Sequence, residues 1–189
     1  MHSSSESAST GDVSNPKELL SKSLTEPLEP PDSHYFNAAE GWLGLGDHRS
    51  ALDELEFISP VTRSHPNVLA LQCEIYTSAQ NWAAVVAISW MLVELVPDQP
   101  IGWVSRSFGL HELKKTKQAF DLLLPAAEKF PGIATIPYNL ACYCAQLGKL
   151  EEAQRWLNQS YAVGNAADLK LQARRDPDLV PLFGTPFEL

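Results

Sequence analysis

The chain has 189 residues, of which 44% are apolar and 20% charged, room for one domain with a core of ordinary size. Its 14 basic and 23 acidic residues give a formal net charge of −9, which argues against nucleic-acid binding, since that depends on Lys and Arg neutralising phosphates. No run approaches the roughly 20 apolar residues of a membrane span, no secretory signal layout opens the chain, and three cysteines make no disulfide framework, so the expectation is a reduced, soluble, cytoplasmic protein.

Residues 1–31 are dominated by serine, proline and acidic side chains. The first fifteen cannot bury enough surface to offset the entropy of ordering, and disorder is expected there. Leu20 and Leu24 stand four apart, as on one face of a short helix from about Lys17 to Leu24. Together with Leu19 they are the apolar part of a segment that could dock on the body of the chain. Pro27, Pro30 and Pro31 then stop any helix and stiffen the approach to that body.

From Asp32 onward the chain repeats. The stretches GLGDHRSALDELEFI, TSAQNWAAVVAISWML, HELKKTKQAFDLLLPA and QLGKLEEAQRWLNQSY align, with a small residue at Ala51, Val85, Ala119 and Ala153. Successive differences (85−51, 119−85, 153−119) are each 34. Bulky residues follow four positions on at Leu55, Leu123 and Leu157, with Ser89 the exception, and Pro97 and Pro131 follow twelve positions on. The units span 32–65, 66–99, 100–133 and 134–167. Within each, apolar spacing is helical: Leu150, Ala153, Trp156, Leu157 and Tyr161 form one stripe, as do Ala119, Leu122, Leu123, Ala126 and Phe130. Turn signals separate the helices at Gly46-Asp47, Gln80-Asn81 and Gly148-Lys149. No useful length alternates with period two, so the fold class is all-α.

These residues resemble the tetratricopeptide repeat (TPR), a 34-residue helix-turn-helix with small residues at repeat positions 8 and 20 and proline at 32. Position 8 here is Ala39, Cys73, Ser107 and Ala141; Trp103 fills the position-4 tryptophan slot of repeat three, and Trp42 and Tyr76 the position-11 aromatic slot of repeats one and two. The resemblance covers residues 32–167. It departs at Pro60, which should shorten the second helix of repeat one, at Arg106, where the family prefers leucine, and at Pro125 inside a helix of repeat three, where a kink is expected. The related RNA-reading pentatricopeptide repeats are disfavoured by the acidic charge. The implied fold is an α-solenoid of about four such repeats. Residues 168–189 then supply a C-terminal capping helix and tail, with Leu169, Leu171 and Ala173 followed by Leu179, Leu182 and Phe183. This ending is similar to that of many small bacterial TPR proteins, its Asp-Pro-Asp-Leu run starting a short final turn.

Catalytic and metal motifs do not stand up. Gly41, Gly44 and Gly46 superficially match a dinucleotide loop, but they close a helix where that motif opens one. Cys142 and Cys144, two apart on a helix, point about 200° from each other and cannot share an ion. Cys73 and Cys144 read as core, whereas Cys142 lies on a different face and is a candidate for exposure. His2, His34, His48, His65 and His111 each lack a second His or Cys at i+3 or i+4, so no zinc spacing is present. No cofactor is expected and the chain is expected not to be an enzyme.

The remaining candidate is a surface. Residues 32–99 hold nine acidic and two basic residues, net −7, and residues 100–133 three acidic and five basic, net +2. Glu40, Glu74 and Glu112 recur at or near one helical offset. In repeat three, Trp103, Ser107 and Leu110 share one face of the first helix, while Ile101, Val104 and Phe108 form a second apolar face about 140° away. The resemblance makes that second face concave, shared with Phe36 and Leu43 of repeat one and Tyr138 and Cys142 of repeat four. The expected partner is a peptide or helix that is apolar, with neutral or basic character. The basic clamp by which some family members grip acidic peptides is absent: the corresponding positions include Glu40, Glu74, Ile101 and Ser105, and only Asn139 is compatible. A type III secretion chaperone-like protein and a structural subunit of a larger assembly are the alternatives. Val104 and Phe108 have a plainer reading too, as packing against neighbouring repeats.

Overall fold

The computed structural model describes residues 27–184, and the expectations for the N-terminal leucines Leu19, Leu20 and Leu24 lie outside them. Eight helices follow in antiparallel pairs: α1 (Asp32–Gly44) with α2 (His48–Phe57), α3 (Pro66–Ser78) with α4 (Trp82–Leu95), α5 (Pro100–Glu112) with α6 (Thr116–Lys129), and α7 (Thr135–Gln146) with α8 (Leu150–Val163). Then come α9 (Ala166–Arg175), a 3-10 turn at Pro177–Leu179 and the short α10 (Val180–Phe183). No strand occurs among the described residues. Each helix packs on the next, and the first helices of successive pairs also adjoin one another, the arrangement of an α-solenoid.

The small residues explain the pairing. Ala39, Cys73, Ser107 and Ala141 are at most 2% exposed, and Ala51, Val85, Ala119 and Ala153 are fully buried. With no bulk at either position the two helices of a pair approach closely; in the second, Cys73 Sγ lies 4.0 Å from the Val85 carbonyl oxygen. Leu55, Leu123 and Leu157, one turn further along each second helix, are also buried. The exception, Ser89, is fully buried as well. It donates its hydroxyl to the Val85 carbonyl at 2.5 Å, so no polar group is orphaned there.

The turns repeat like the core. Positive φ falls at Gly46, Gln80, Lys114 and Gly148, again 34 apart. Each reverses the chain between the two helices of a pair, a left-handed conformation that suits glycine and costs other residues about 1 kcal/mol. The next residue opens the second helix. Asp47 accepts from Ser50 N–H at 3.0 Å and Asn81 from Ala84 N–H at 3.3 Å, both ordinary N-caps.

The irregular features have local causes. The second helix of repeat one stops at Phe57, three residues before Pro60, and a 3-10 turn at Thr62–Ser64 carries the chain to α3. Asp32 holds this detour in place. Its carboxylate accepts the Ser59 N–H at 2.9 Å and the Ser59 hydroxyl at 2.6 Å, while Arg63 Nε donates to the Ile58 carbonyl. The Ser59 and Thr62 hydroxyls hold the Asp32 carboxyl below the ordinary aspartate value of 3.8. In repeat three, α6 runs through Pro125 as one helix.

Buried apolar side chains gather in two clusters, one around Ala39, Leu55, Ile58 and Ile75, the other around Leu123, Ile136, Tyr143, Leu157 and Leu179. Between them α4 meets α5 at a seam set by two glycines. A Cβ on Gly102 would lie 2.8 Å from the Val93 backbone nitrogen, and one on Gly109 would lie 3.0 Å from a Val86 methyl. Seven residues apart, the two share one helix face and bring α5 against α4 almost backbone to backbone.

Gly102→Ala should therefore force the seam apart, costing about 1–3 kcal/mol despite the better helix propensity of alanine. Gly132→Ala, with open space around its Cβ, should change stability by about 0.5 kcal/mol or less; thermal unfolding of the two variants checks the difference. Asp32→Asn should cost about 1 kcal/mol, discounted from the usual value for a hydrogen bond to a charged group because the site borders solvent. The folded carboxyl ionises below its unfolded value, so its contribution is present above about pH 5 and disappears as pH falls through the folded value. Unfolding curves of wild type and Asp32→Asn should converge in acid and separate near neutrality.

Candidate functional site

The first helices α1, α3 and α5 stand side by side and leave a groove of about 640 Å³ between them. Phe36 and Glu40 of α1 form one wall, Asn67, Ala70, Leu71, Glu74 and Thr77 of α3 the floor, and Ile101 and Ser105 of α5 the other wall. Three helices contribute because the repeat returns the same helical face to the same side every 34 residues. Ile101 is 41% exposed, and its apolar surface faces two carboxylates with no Lys or Arg in the lining. The lining thus combines apolar side chains (Phe36, Ala70, Leu71, Ile101) with the acidic Glu40 and Glu74.

The seven residues expected on this face separate into three groups. Phe36 and Ile101 line the groove together. Leu43 and Val104 are partly buried against the two core clusters, and Phe108 sets its ring edge-on to Trp82 with centroids 5.5 Å apart. Trp82 opens α4, the second helix of repeat two, so the Phe108 ring packs across the repeat boundary and takes no part in the groove lining. Tyr138 and Cys142 form the third group. They are 4% and 5% exposed, covered by the chain's own C-terminal turn.

That cover corrects the expectation of an exposed Cys142. The Asp176 carboxylate accepts the Tyr138 hydroxyl at 2.9 Å, and its Oδ2 lies 3.7 Å from Cys142 Sγ. Two residues on, Asp178 Oδ2 meets His111 Nε2 at 3.0 Å, and the Asp178 carbonyl accepts Gln146 Nε2–H at 2.8 Å. A carboxylate can only accept, so His111 donates from Nε2; its Nδ1 lies 3.0 Å from the Thr116 hydroxyl. Burial and then the Asp176 and Asp178 charges push the Cys142 thiol far up. Burial likewise raises Cys73, and it lifts Cys144 to about 11. All three thiols are protonated near neutral pH.

Sequence reasoning missed His111, Gln146, Asp176 and Asp178 as a group. They lie between 32 and 67 residues apart along the pairs they form, and no spacing rule links them. The sequence did carry one signal, two aspartates flanking a proline straight after a capping helix. Glu40 and Glu74 both face the groove, whereas Glu112 is not part of its lining. Arg106, in a leucine slot of the family pattern, lines a cleft of about 470 Å³ with Trp103 and Pro125, and its buried Nε finds no hydrogen-bond partner among the described residues.

A second cleft of about 580 Å³ lies between α2 and α3, walled by His48, Asp53, Glu56, Arg63 and Tyr76 among others. Its charges are mixed, and Arg63 is committed to the Ile58 and Glu56 carbonyls, so it offers less free recognition surface than the inner groove. Among the described residues no group of three His, Cys, Asp or Glu side chains is placed to hold a metal ion. None of the helices described is long and apolar enough to cross a membrane.

No protein-family model matches the chain, and no curated protein matches it. Among solved structures it is similar to the crystal structure of TTC0263, a thermophilic TPR protein in Thermus thermophilus. The TM-score is 0.63 at 17% sequence identity, over 80% of this chain and 81% of that one. At that identity the likeness is one of fold. Helix pairs, period and structural neighbour define the same class of fold, a TPR-like α-solenoid.

Proposed function

We propose that the protein is a non-enzymatic, cytoplasmic interaction module that holds a partner peptide or helix in the groove formed by α1, α3 and α5. The observation that carries this reading is the groove itself: exposed Ile101 on the α5 wall, Phe36 and Glu40 on the α1 wall, and Glu74 on the floor. An amphipathic helix lays its apolar side chains into such a groove, and the carboxylates favour a partner with basic or neutral flanks. The net charge of −7 over residues 32–99 adds long-range steering toward the same partner. Nucleic acid is disfavoured by the same charge, and no membrane partner is implied.

The two alternatives, a type III secretion chaperone-like protein and a structural subunit of a larger assembly, use the same solenoid. The chaperone reading calls for dimerisation through an N-terminal helix, which falls outside the described residues. Fold alone separates none of the three.

Affinity capture from native lysate tests the reading. Ile101→Glu and the pair Glu40→Lys/Glu74→Lys should each weaken capture of the wild-type partner at least tenfold, with melting temperatures within a few degrees of wild type. Ala87→Glu, an exposed position on α4, should leave capture unchanged. Association should also slow as ionic strength rises from low to physiological salt. Undiminished capture by both groove variants would place the binding surface elsewhere.

A further inference from the structure

The C-terminal turn has a feature that capping does not require. A solenoid needs its last helix pair covered, and α9 does this by packing on α8, with Ala173 1% exposed. The chain then does not leave. It turns at Asp176 and runs back over α7 on the inner side, so the 3-10 turn packs against α7. There it lies on the repeat-three and repeat-four continuation of the face that is open over repeats one to three.

The contacts are those of a peptide in a recognition site. Two carboxylates at i and i+2 and an aliphatic side chain at i+3 are read by separate groups. Tyr138 donates to Asp176, His111 to Asp178, and Gln146 to the backbone at the Asp178 carbonyl. Leu179 is fully buried. The Asp176 carboxylate also accepts the Asp178 N–H at 2.9 Å, which fixes the turn that aims both acids inward. The receiving groups come from two repeats, and His111 and Tyr138 are themselves buried, with His111 stacked at 4.9 Å on Tyr143. The Tyr143 ring and the Thr116 hydroxyl, 3.0 Å from Nδ1, hold the His111 ring independently of the segment it binds.

We infer that the inner face of repeats three and four is a second recognition site, selective for an Asp-x-Asp-aliphatic peptide, and that Asp176–Leu179 occupies it as an intramolecular ligand. A partner carrying this acidic motif competes with the chain's own segment. Tethering gives that segment a millimolar-scale effective concentration, so the site is latched in the free protein and opens only to a ligand that outcompetes it. This site is independent of the acidic groove over repeats one to three. Substitutions in the C-terminal turn leave that groove intact, so the two readings fail separately.

Cys142 reports on the latch, because Asp176 covers it while Cys73 and Cys144 are buried between helices. In the full-length chain, Asp176→Asn/Asp178→Asn/Leu179→Ala should release the segment, and one thiol should then react rapidly with a thiol reagent where wild type shows none. Adding Cys142→Ser should abolish that reaction. The synthetic peptide of residues 174–184 should restore protection of Cys142 in the released variant, and its Asp→Asn counterpart should need at least tenfold more. In wild type the peptide should have no effect. Failure of the peptide to protect, or equal protection by both peptides, overturns the proposal and leaves the segment a plain cap. Rapid reaction of all three thiols overturns it too, because the segment would then be part of the core. The milder Asp176→Asn/Asp178→Asn chain, with Leu179 kept, gives the same readout where the triple variant does not fold.

Discussion

The close approach of paired helices at residues too small to hold them apart is the constraint on which everything else rests. Ala39, Cys73, Ser107 and Ala141 on the first helices, with Ala51, Val85, Ala119 and Ala153 on the second, are all at most 2% exposed. Because both sets recur every 34 residues, each pair adopts nearly the same geometry, and stacking equal pairs generates a superhelix. The inner face is a consequence of that regularity. A bulky residue at one of these positions would splay one pair and misalign the groove walls on either side. The glycine seam between α4 and α5 extends the same principle across a repeat boundary.

The inner face is one continuous surface with two chemistries. Over repeats one to three it is open, acidic and apolar-rimmed; over repeats three and four it supplies donors and is closed by two aspartates from the C-terminal turn. The division follows from which residues fall at the inward register positions. Glu40 and Glu74 stand there in the first two repeats, His111 and Tyr138 in the last two. The inward-facing chemistry therefore changes along the solenoid, from the carboxylates of Glu40 and Glu74 to the hydrogen-bond donors of Tyr138 and His111.

Local chemistry that repeats was legible in the sequence. The period, the small residues, the turns at Gly46, Gln80 and Gly148, and the stop before Pro60 all rest on interactions within about one helix pair. So did the placement of Phe36 and Ile101 on one face, which needed only the register. What escaped was contact between distant segments. A helical wheel puts Cys142 on a face away from its partner helix, and it does lie there, but 34 residues later Asp176 returns to cover it. Phe108 shows the same limit. Its wheel position is inward, yet its ring edge meets Trp82 of the preceding pair, a choice set by the crossing of α4 and α5 at Gly102 and Gly109 rather than by spacing on either helix.

Hydrogen–deuterium exchange of the full chain, alone and with its captured partner, tests most directly that the open inner face is the working surface. Amide protection should rise on α1, α3 and the first two turns of α5, the segments that line the groove, and stay unchanged on α2, α4 and α6. Protection confined to the second helices, or spread evenly over both, would contradict the account.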